Sequence, residues 1–192
     1  MAASAAPYGA KPIGTLSASG SFTGKVQHIK IASGYDTLIS WGDFVKLVAA
    51  GTIEKDAGTT TATPVGVFMG CSYTDPTTSQ PTYAQMWTAD VAASDAVAYV
   101  LTDPNVLFQM QGDGAITQAM LGSNFAIVVT AGSTTIGRSK NAVDQSTSAT
   151  TNTLPLRIVD YVDGPDSAVG DAYTDVIMKF NVGHQYVNTT GI

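Results

Sequence analysis

Two histidines, His28 and His184, are the side chains of this sequence best suited to acid–base or metal chemistry. Neither has a second histidine or a cysteine at the spacing of a zinc ligand set. A serine nucleophile would need one of them as its base, but the sequence has no Gly-x-Ser-x-Gly segment. Glutamate, the usual carboxylate of glycosidases, occurs once, as Glu54. We therefore predict no enzymatic activity; the opposing hypothesis requires a pocket that joins a histidine to an aspartate and a hydroxyl group.

Two further patterns resemble ligand sites without completing them. Residues 20–25 have one residue too few between the glycines of a phosphate-binding loop, and Val26 replaces its magnesium-binding hydroxyl. Four aspartates close to two glycines could bind calcium, but they lack the order of an EF-hand loop, and the opposing interpretation is that they cap turns. These aspartates are Asp160, Asp163, Asp166 and Asp171. We predict no metal and no cofactor.

Aromatic side chains offer a different chemistry, because they can stack on sugar rings. Trp41, Tyr83 and Trp87 could form such a surface in a carbohydrate-binding module, or they could fill a core or a subunit interface. The carbohydrate hypothesis requires at least two aromatic side chains to be exposed on one face. Cys71 is the only cysteine, which excludes an intrachain disulfide, and its neighbours predict a buried, unreactive thiol.

The composition limits the partners that the chain can bind. Charged residues make up 12% of the sequence, about half the usual share, and the formal net charge is −6. An acidic surface is repelled by phosphate, so we predict no direct binding to nucleic acid. Low charge leaves little repulsion between copies, which favours self-association. No apolar stretch approaches about 20 residues and no basic leader precedes an apolar run, so we predict neither a membrane span nor a secretion signal.

Short β-strands must position these side chains. Apolar runs bounded by turn residues recur from Lys25 onward, and one short helix is predicted at residues 115–121, with Asp113 near its start and Gly122 after its end. The sequence therefore predicts an all-β barrel or sandwich for residues 22–192. The predicted strands are residues 25–31, 36–40, 43–49, 65–72, 82–88, 96–101, 106–111, 125–129, 154–162 and 175–181.

Residues 1–21 are predicted to form an extended N-terminal arm, because prolines enforce extended backbone there and glycines loosen it. The arm settles on a surface only if Tyr8, Ile13 and Leu16 find one; otherwise it is a disordered tail. The loop of residues 75–81 contains two prolines and is predicted to project as a stiff tip. The Ser/Thr-rich residues 146–153 form either a mobile loop or an edge strand.

The order of several segments along the chain resembles the capsid cement, or decoration, proteins of tailed bacteriophages. The matching segments span nearly the whole sequence. They are residues 21–26 (SFTGKV), 42–47 (GDFVKL), 64–67 (PVGV), 99–108 (YVLTDPNVLF), 132–139 (GSTTIGRS) and 154–158 (LPLRI). A more basic segment of the Gly-Leu-Arg-Pro type in that family corresponds here to residues 9–13 (GAKPI).

The resemblance implies a β-barrel or jelly-roll-like body that binds the outer face of the major capsid protein lattice, commonly as a trimer or another small homo-oligomer. It implies a virion protein that is made in the cytoplasm of a bacterial host and stabilises the shell. The alternative is a carbohydrate-binding β-sandwich on the virion surface that contacts the host.

We hypothesise that adaptable, weakly charged parts of the arm and of two loop tips make the partner contacts. Their residues are Tyr8, Pro12, Ile13, Leu16, Pro76 and Thr147. Deletion of residues 1–21 is then expected to weaken capsid binding without unfolding the body.

Overall fold

A computed structural model describes residues 4–16, 24–188 and 191–192. In these residues the chain forms short strands and a single 3-10 turn, Gln118–Met120. In chain order the strands are β1 (Lys11–Thr15), β2 (Val26–Lys30), β3 (Ile39–Ser40), β4 (Phe44–Leu47), β5 (Ile53–Lys55), β6 (Gly66–Thr74), β7 (Pro81–Ala84), β8 (Met86–Trp87), β9 (Val97–Leu101), β10 (Val106–Gln111), β11 (Asn124–Val128), β12 (Ala142–Ala149), β13 (Leu156–Tyr161) and β14 (Asp175–Phe180).

Two antiparallel sheets pack against each other as a sandwich. The first sheet has the strand order β1-β10-β14-β13-β11-β12. The second has the order β2-β9-β6-β4-β5, and β7 pairs with the C-terminal part of β6. The short pair of β3 and β8 contacts β6. The all-β sandwich predicted from the sequence is confirmed.

The central strands of the second sheet are buried on both faces, because successive side chains of a strand point to opposite sides. One face enters a core shared with the first sheet, and the other enters a separate core around Trp87. In three pairs of neighbours the first residue enters the shared core and the second enters the separate core: Phe44 and Val45, Val67 and Phe68, Leu101 and Val100.

Each sheet is curled, and a parallel bridge between residues of two non-adjacent strands shows this. In the first sheet Gly112, which follows β10, is bridged to Val143 of β12. In the second sheet Ile31, which follows β2, is bridged to Ile53 of β5. β1 and β7 stay at the margins of the two curled sheets as edge strands.

The segment predicted as an arm is in part a strand of the body. β1 pairs with β10, and Ala10 is fully buried in the shared core. Residues 1–3 and 17–21 lie outside the described residues. Deletion of residues 1–21 would remove an edge strand and a core side chain, so we expect it to destabilise the body as well as to remove surface contacts.

The short helix predicted at residues 115–121 is reduced to the 3-10 turn Gln118–Met120. Asp113 does not cap it; the carboxylate of Asp113 instead accepts a hydrogen bond from the backbone N–H of Gln145 in β12 (2.8 Å). Ile116 is fully buried, so the chain before the turn follows the core rather than a helical path. The tract at residues 146–153 is an edge strand in its first half, where it belongs to β12.

Candidate interaction surface

One end of the first sheet carries a group of exposed apolar side chains. Leu16 follows β1, and Val182, Tyr186 and Val187 follow β14; their exposed fractions lie between 46% and 61%. The backbone N–H of Leu16 donates to the carbonyl of Asn105 (3.0 Å). Asn105, Val182 and Val187 line one depression of about 340 Å³, so the two segments meet there. We call Leu16, Val182, Tyr186 and Val187 the apolar end.

Residues 183–188, the C-terminal strap, attach the apolar end to the second sheet. The side-chain amide of Gln185 accepts a hydrogen bond from the N–H of Leu47 (2.6 Å) and donates one to the carbonyl of Leu47 (3.0 Å). These are the bonds that a neighbouring strand would make. The hydroxyl of Tyr186 donates to Oε1 of Gln27 (2.7 Å). An ordered backbone therefore presents the exposed apolar side chains.

His184 anchors the strap from inside. Its ring is 2% exposed and lies edge-on to Phe180, with the ring centroids 4.9 Å apart. Nδ1 accepts a hydrogen bond from the N–H of Tyr186 (3.3 Å), so the proton of the neutral ring is on Nε2, which is buried without a hydrogen bond of standard geometry. Burial lowers the pKa of His184 to about 4, and the nearby carbonyl of Val65 opposes that shift only in part. The ring is therefore neutral at pH 7.

The predicted contact residues of the N-terminal segment divide between the interior and the surface. Tyr8 is half-buried, and its hydroxyl lies inside the protein beside the carboxylate of Asp175. Burial raises the pKa of the Tyr8 hydroxyl well above its ordinary value, and the charge of Asp175 adds to the shift. Pro12 is half-buried, whereas Ile13 lies at the register shift of β1 and is 41% exposed. Ile13 and Leu16 are thus accessible, whereas the hydroxyl of Tyr8 is buried against the first residue of β14, Asp175.

Pro76 and Thr147 lie outside the apolar end. Pro76 is exposed in the turn between β6 and β7, which Asp75 fixes by accepting a hydrogen bond from the N–H of Thr77 (2.7 Å). Thr147 is half-buried in β12, and its hydroxyl accepts a hydrogen bond from the N–H of Ala126 (2.9 Å) where the register shifts. The turn at Pro76 is a fixed projection, and the hydroxyl of Thr147 is used within the sheet.

A buried ion pair that the sequence analysis missed lies within the hairpin of β4 and β5. Nζ of Lys55 lies 2.9 Å from Oδ2 of Asp43, and the side chains are 7% and 0% exposed. The hydroxyl of Ser139 donates to Oδ1 of Asp43 (2.6 Å), and the N–H of Ser40 donates to Oδ2 (2.8 Å). Three partners therefore satisfy the carboxylate in the interior and tie the loop before β12 to the start of β4. The sequence signal for this pair is that residues of opposite charge, Asp43 and Lys55, stand at the two ends of this hairpin.

No family model, curated protein or solved structure matches this chain. Its function has to be inferred from its own residues. In the described part of the chain, no helix is long and apolar enough to cross a membrane. Within the same residues, no three His, Cys, Asp or Glu side chains are grouped so that they could hold a metal ion.

The two histidines lie on different elements. His28 is exposed on β2, where its ring lies edge-on to Tyr99 with the centroids 4.9 Å apart. His184 is buried under the strap. Cys71 is 1% exposed, so its predicted burial is confirmed, and burial raises the pKa of the thiol to about 12.

The two incomplete ligand patterns have different outcomes. Residues 20–23 of the phosphate-loop-like segment lie outside the described residues. In the aspartate cluster, Asp171 accepts a hydrogen bond from the N–H of Ala168 (3.0 Å), which closes a turn. Asp160 accepts one from the N–H of the next residue, Tyr161 (2.9 Å). These two carboxylates act on the local backbone, as the turn-capping interpretation expects.

The three aromatic residues considered for sugar stacking do not share an exposed face. Trp87 is fully buried, and its indole N–H donates to the carbonyl of Tyr35 (3.1 Å). Trp41 is half-buried, with the guanidinium of Arg138 lying 5.0 Å from its ring centroid. Tyr83 is the exposed member of the three, at 78%.

Proposed function

We propose that this chain is a capsid cement, or decoration, protein of a tailed bacteriophage. It binds the outer surface of the shell built from the major capsid protein and stabilises that shell. The observation that supports this most is the apolar end, where the exposed Val182 and Val187 line one depression with Asn105, to which the backbone of the exposed Leu16 is hydrogen-bonded. Exposed apolar groups of this kind mark protein–protein contact sites.

The composition of the surface supports a contact made by backbone and small side chains. Charged residues make up 12% of the sequence. β1 is an edge strand, and an edge strand presents backbone groups to which another chain can add. Ile13 and Leu16 lie along this edge, so β1 and the apolar end form one continuous region.

The mechanism that we propose is thermodynamic. A protein that binds only the expanded shell stabilises that form by mass action, without a chemical step. Assembly as a trimer or another small homo-oligomer would multiply modest individual affinities, because several copies of the same contact engage together. Light scattering coupled to size exclusion measures the oligomeric state. The protein would be made in the bacterial cytoplasm and would act on the outside of the capsid.

Co-sedimentation with purified shells tests the proposal. Shells assembled from the major capsid protein of the same source, before and after expansion, are mixed with the protein and pelleted. Val187→Glu puts a carboxylate on the apolar end, and Ile136→Glu is the matched control, because the two side chains are 61% and 62% exposed. Burial of an unpaired carboxylate in a contact is strongly unfavourable, so we expect Val187→Glu to reduce binding at least tenfold and Ile136→Glu to bind like wild type.

Two results would contradict the proposal in different ways. If the wild-type protein pellets with neither form of the shell, the cement function is wrong. If it pellets and Val187→Glu binds as well as Ile136→Glu, the function stands and the apolar end is not the contact.

The alternative, a carbohydrate-binding sandwich on the virion surface, needs at least two exposed aromatic side chains on one face. Trp41 and Trp87 do not supply them. Tyr83 is exposed and lies on the same face of the second sheet as the half-buried Tyr99.

A further inference from the structure

The second sheet extends past the first sheet on the face where the two pack. On that face Val67 and Leu101 enter the shared core. β6 then shifts its register between Phe68 and Cys71 and continues to Thr74. Beyond the shift, the same face carries side chains that reach solvent.

Four of these side chains form two staggered pairs across the extension, which we call the aromatic ledge: His28 in β2 with Tyr99 in β9, and Ser72 in β6 with Tyr83 in β7. Ser72 is in register with Val97 and Lys30, two residues along the strands from Tyr99 and His28. His28 is paired with Tyr99 and Ser72 with Tyr83, and directly paired residues share a face of the sheet. The hydroxyl of Tyr99 donates to Oγ of Ser72 (2.9 Å), which places both pairs on the same face. Adjacent strands lie about 4.8 Å apart, so the ledge spans about 14 Å across the strands.

A depression of about 180 Å³ lies against Tyr83 at one end of the ledge. Its lining includes the hydroxyl-bearing side chains of Ser72, Thr74 and Thr82 and the carboxylate of Asp95. The N–H and the hydroxyl of Thr74 both donate to Oδ2 of Asp95 (3.1 and 2.6 Å), which fixes the carboxylate. An ionised carboxylate retains further lone pairs for hydrogen-bond donors of a ligand.

We propose that the aromatic ledge and this depression bind a neutral saccharide. The ring of Tyr83, 78% exposed, stacks on the apolar face of a sugar ring. Asp95 accepts hydrogen bonds from sugar hydroxyl groups, and Ser72 and Thr82 both accept and donate them. The ring of Tyr99 and the imidazole of His28 continue the surface under the next sugar units.

Charge selects the class of saccharide. Among the described residues that line the depression, Asp95 is the one with a charged side chain, and the formal net charge of the chain is −6. Sugars that carry carboxylate, phosphate or sulfate groups would be repelled, whereas neutral hydroxyl groups find an acceptor. The site does not include the apolar end, so it does not depend on capsid binding.

A glycan array tests this inference with the full-length protein. The array presents neutral oligosaccharides of glucose, galactose, mannose and N-acetylhexosamines, with sialylated members for comparison. The strongest neutral binder, together with maltotriose and cellotriose, is then titrated into isotopically labelled protein and followed by NMR shifts. We expect saturable binding of neutral members, with shifts at Ser72 and Tyr83.

Three variants separate a sugar site from a general aromatic effect. Tyr83→Ala removes the stacking ring and is expected to weaken binding about tenfold, the upper range for one aromatic contact. Tyr83→Phe keeps the ring and is expected to stay within about threefold of wild type. Tyr173→Ala removes a half-buried ring that lines a different depression and is expected to leave glycan binding unchanged.

The inference is overturned if no neutral glycan on the array binds, or if Tyr83→Ala binds as tightly as wild type. It is also overturned if the ledge variants lose shell binding while no glycan binds, because the ledge is then a protein contact. Preferential binding of sialylated members would refute the charge argument and with it the proposed ligand class.

Discussion

Acidification is expected to destabilise this protein through His184. Burial lowers the pKa of this side chain to about 4 in the folded protein, whereas an unfolded histidine titrates near 6.5. Between these two values the unfolded chain binds a proton that the folded chain does not bind. The free energy of unfolding therefore falls as the pH drops from about 6.5 to about 4.

The magnitude follows from the distance between the two pKa values. A difference of about 2.5 corresponds to at most about 3.4 kcal/mol. Between pH 7 and pH 5 the loss is about 2 kcal/mol, because the unfolded histidine becomes mostly protonated and the folded one stays mostly neutral. That loss is a large share of the stability of an ordinary domain, about 5–15 kcal/mol.

Urea unfolding between pH 7.5 and pH 4.5 measures the effect, with the fluorescence of the buried Trp87 as the signal. The comparison protein is His184→Gln, whose side chain does not titrate; its altered packing against Phe180 shifts stability by the same amount at every pH. Burial raises the pKa of Asp56 and Asp175, which favours the folded state in acid, but this opposing effect is common to both proteins. Parallel pH profiles for the two proteins would refute the reasoning.

Three further outcomes are expected. Asp43→Ala leaves the buried ammonium of Lys55 without its partner, and Lys55→Met leaves the buried carboxylate of Asp43 without its cation, so each is expected to cost about 3–5 kcal/mol in urea unfolding, whereas the double variant is expected to cost clearly less than the sum of the two; additive losses would contradict the pairing argument. Gly9→Ala is expected to cost at least about 1 kcal/mol, because its φ is +74° and the added methyl meets the side chain of Ser139; an unchanged melting temperature would count against this. Cys71, with a pKa raised to about 12 by burial, is expected to resist a thiol reagent at pH 8 in the native protein and to react fully in denaturant, and rapid native labelling would be inconsistent with its position.

The strands that the sequence predicts well are those with dense apolar runs. Residues 106–111 were predicted as a strand, and β10 spans Val106–Gln111. β1 was missed because Pro12 and Gly14 are poor strand formers, and the pairing of β1 with β10 overrides that local preference. The Ser/Thr-rich half of β12 is compatible with either a loop or a strand, because it has no alternation of apolar and polar residues.

The candidate sites were harder to predict, because they join residues that are distant in sequence. Nothing near Tyr8 indicates that its hydroxyl lies beside Asp175, and only the order of the strands brings these segments together. The sequence does not distinguish Trp87 from Tyr83, because both are aromatic residues of the same predicted strand, residues 82–88. Trp87 lies in β8 and packs into the separate core, whereas Tyr83 lies in β7 and is paired with Ser72, on the opposite face of the second sheet.

The first sheet places β1 next to β10, and β10 next to β14. During synthesis β1 cannot pair until β10 has been made. β10 in turn gains its second neighbour, β14, only after the chain beyond Phe180 has left the ribosome. A nascent polypeptide of this sequence exposes the unpaired edge of β1 until β10 has been made, and contacts between remote segments also form slowly. Quality control by chaperones at the exit tunnel would thus matter more for the yield of this protein than for that of a helical domain of equal length.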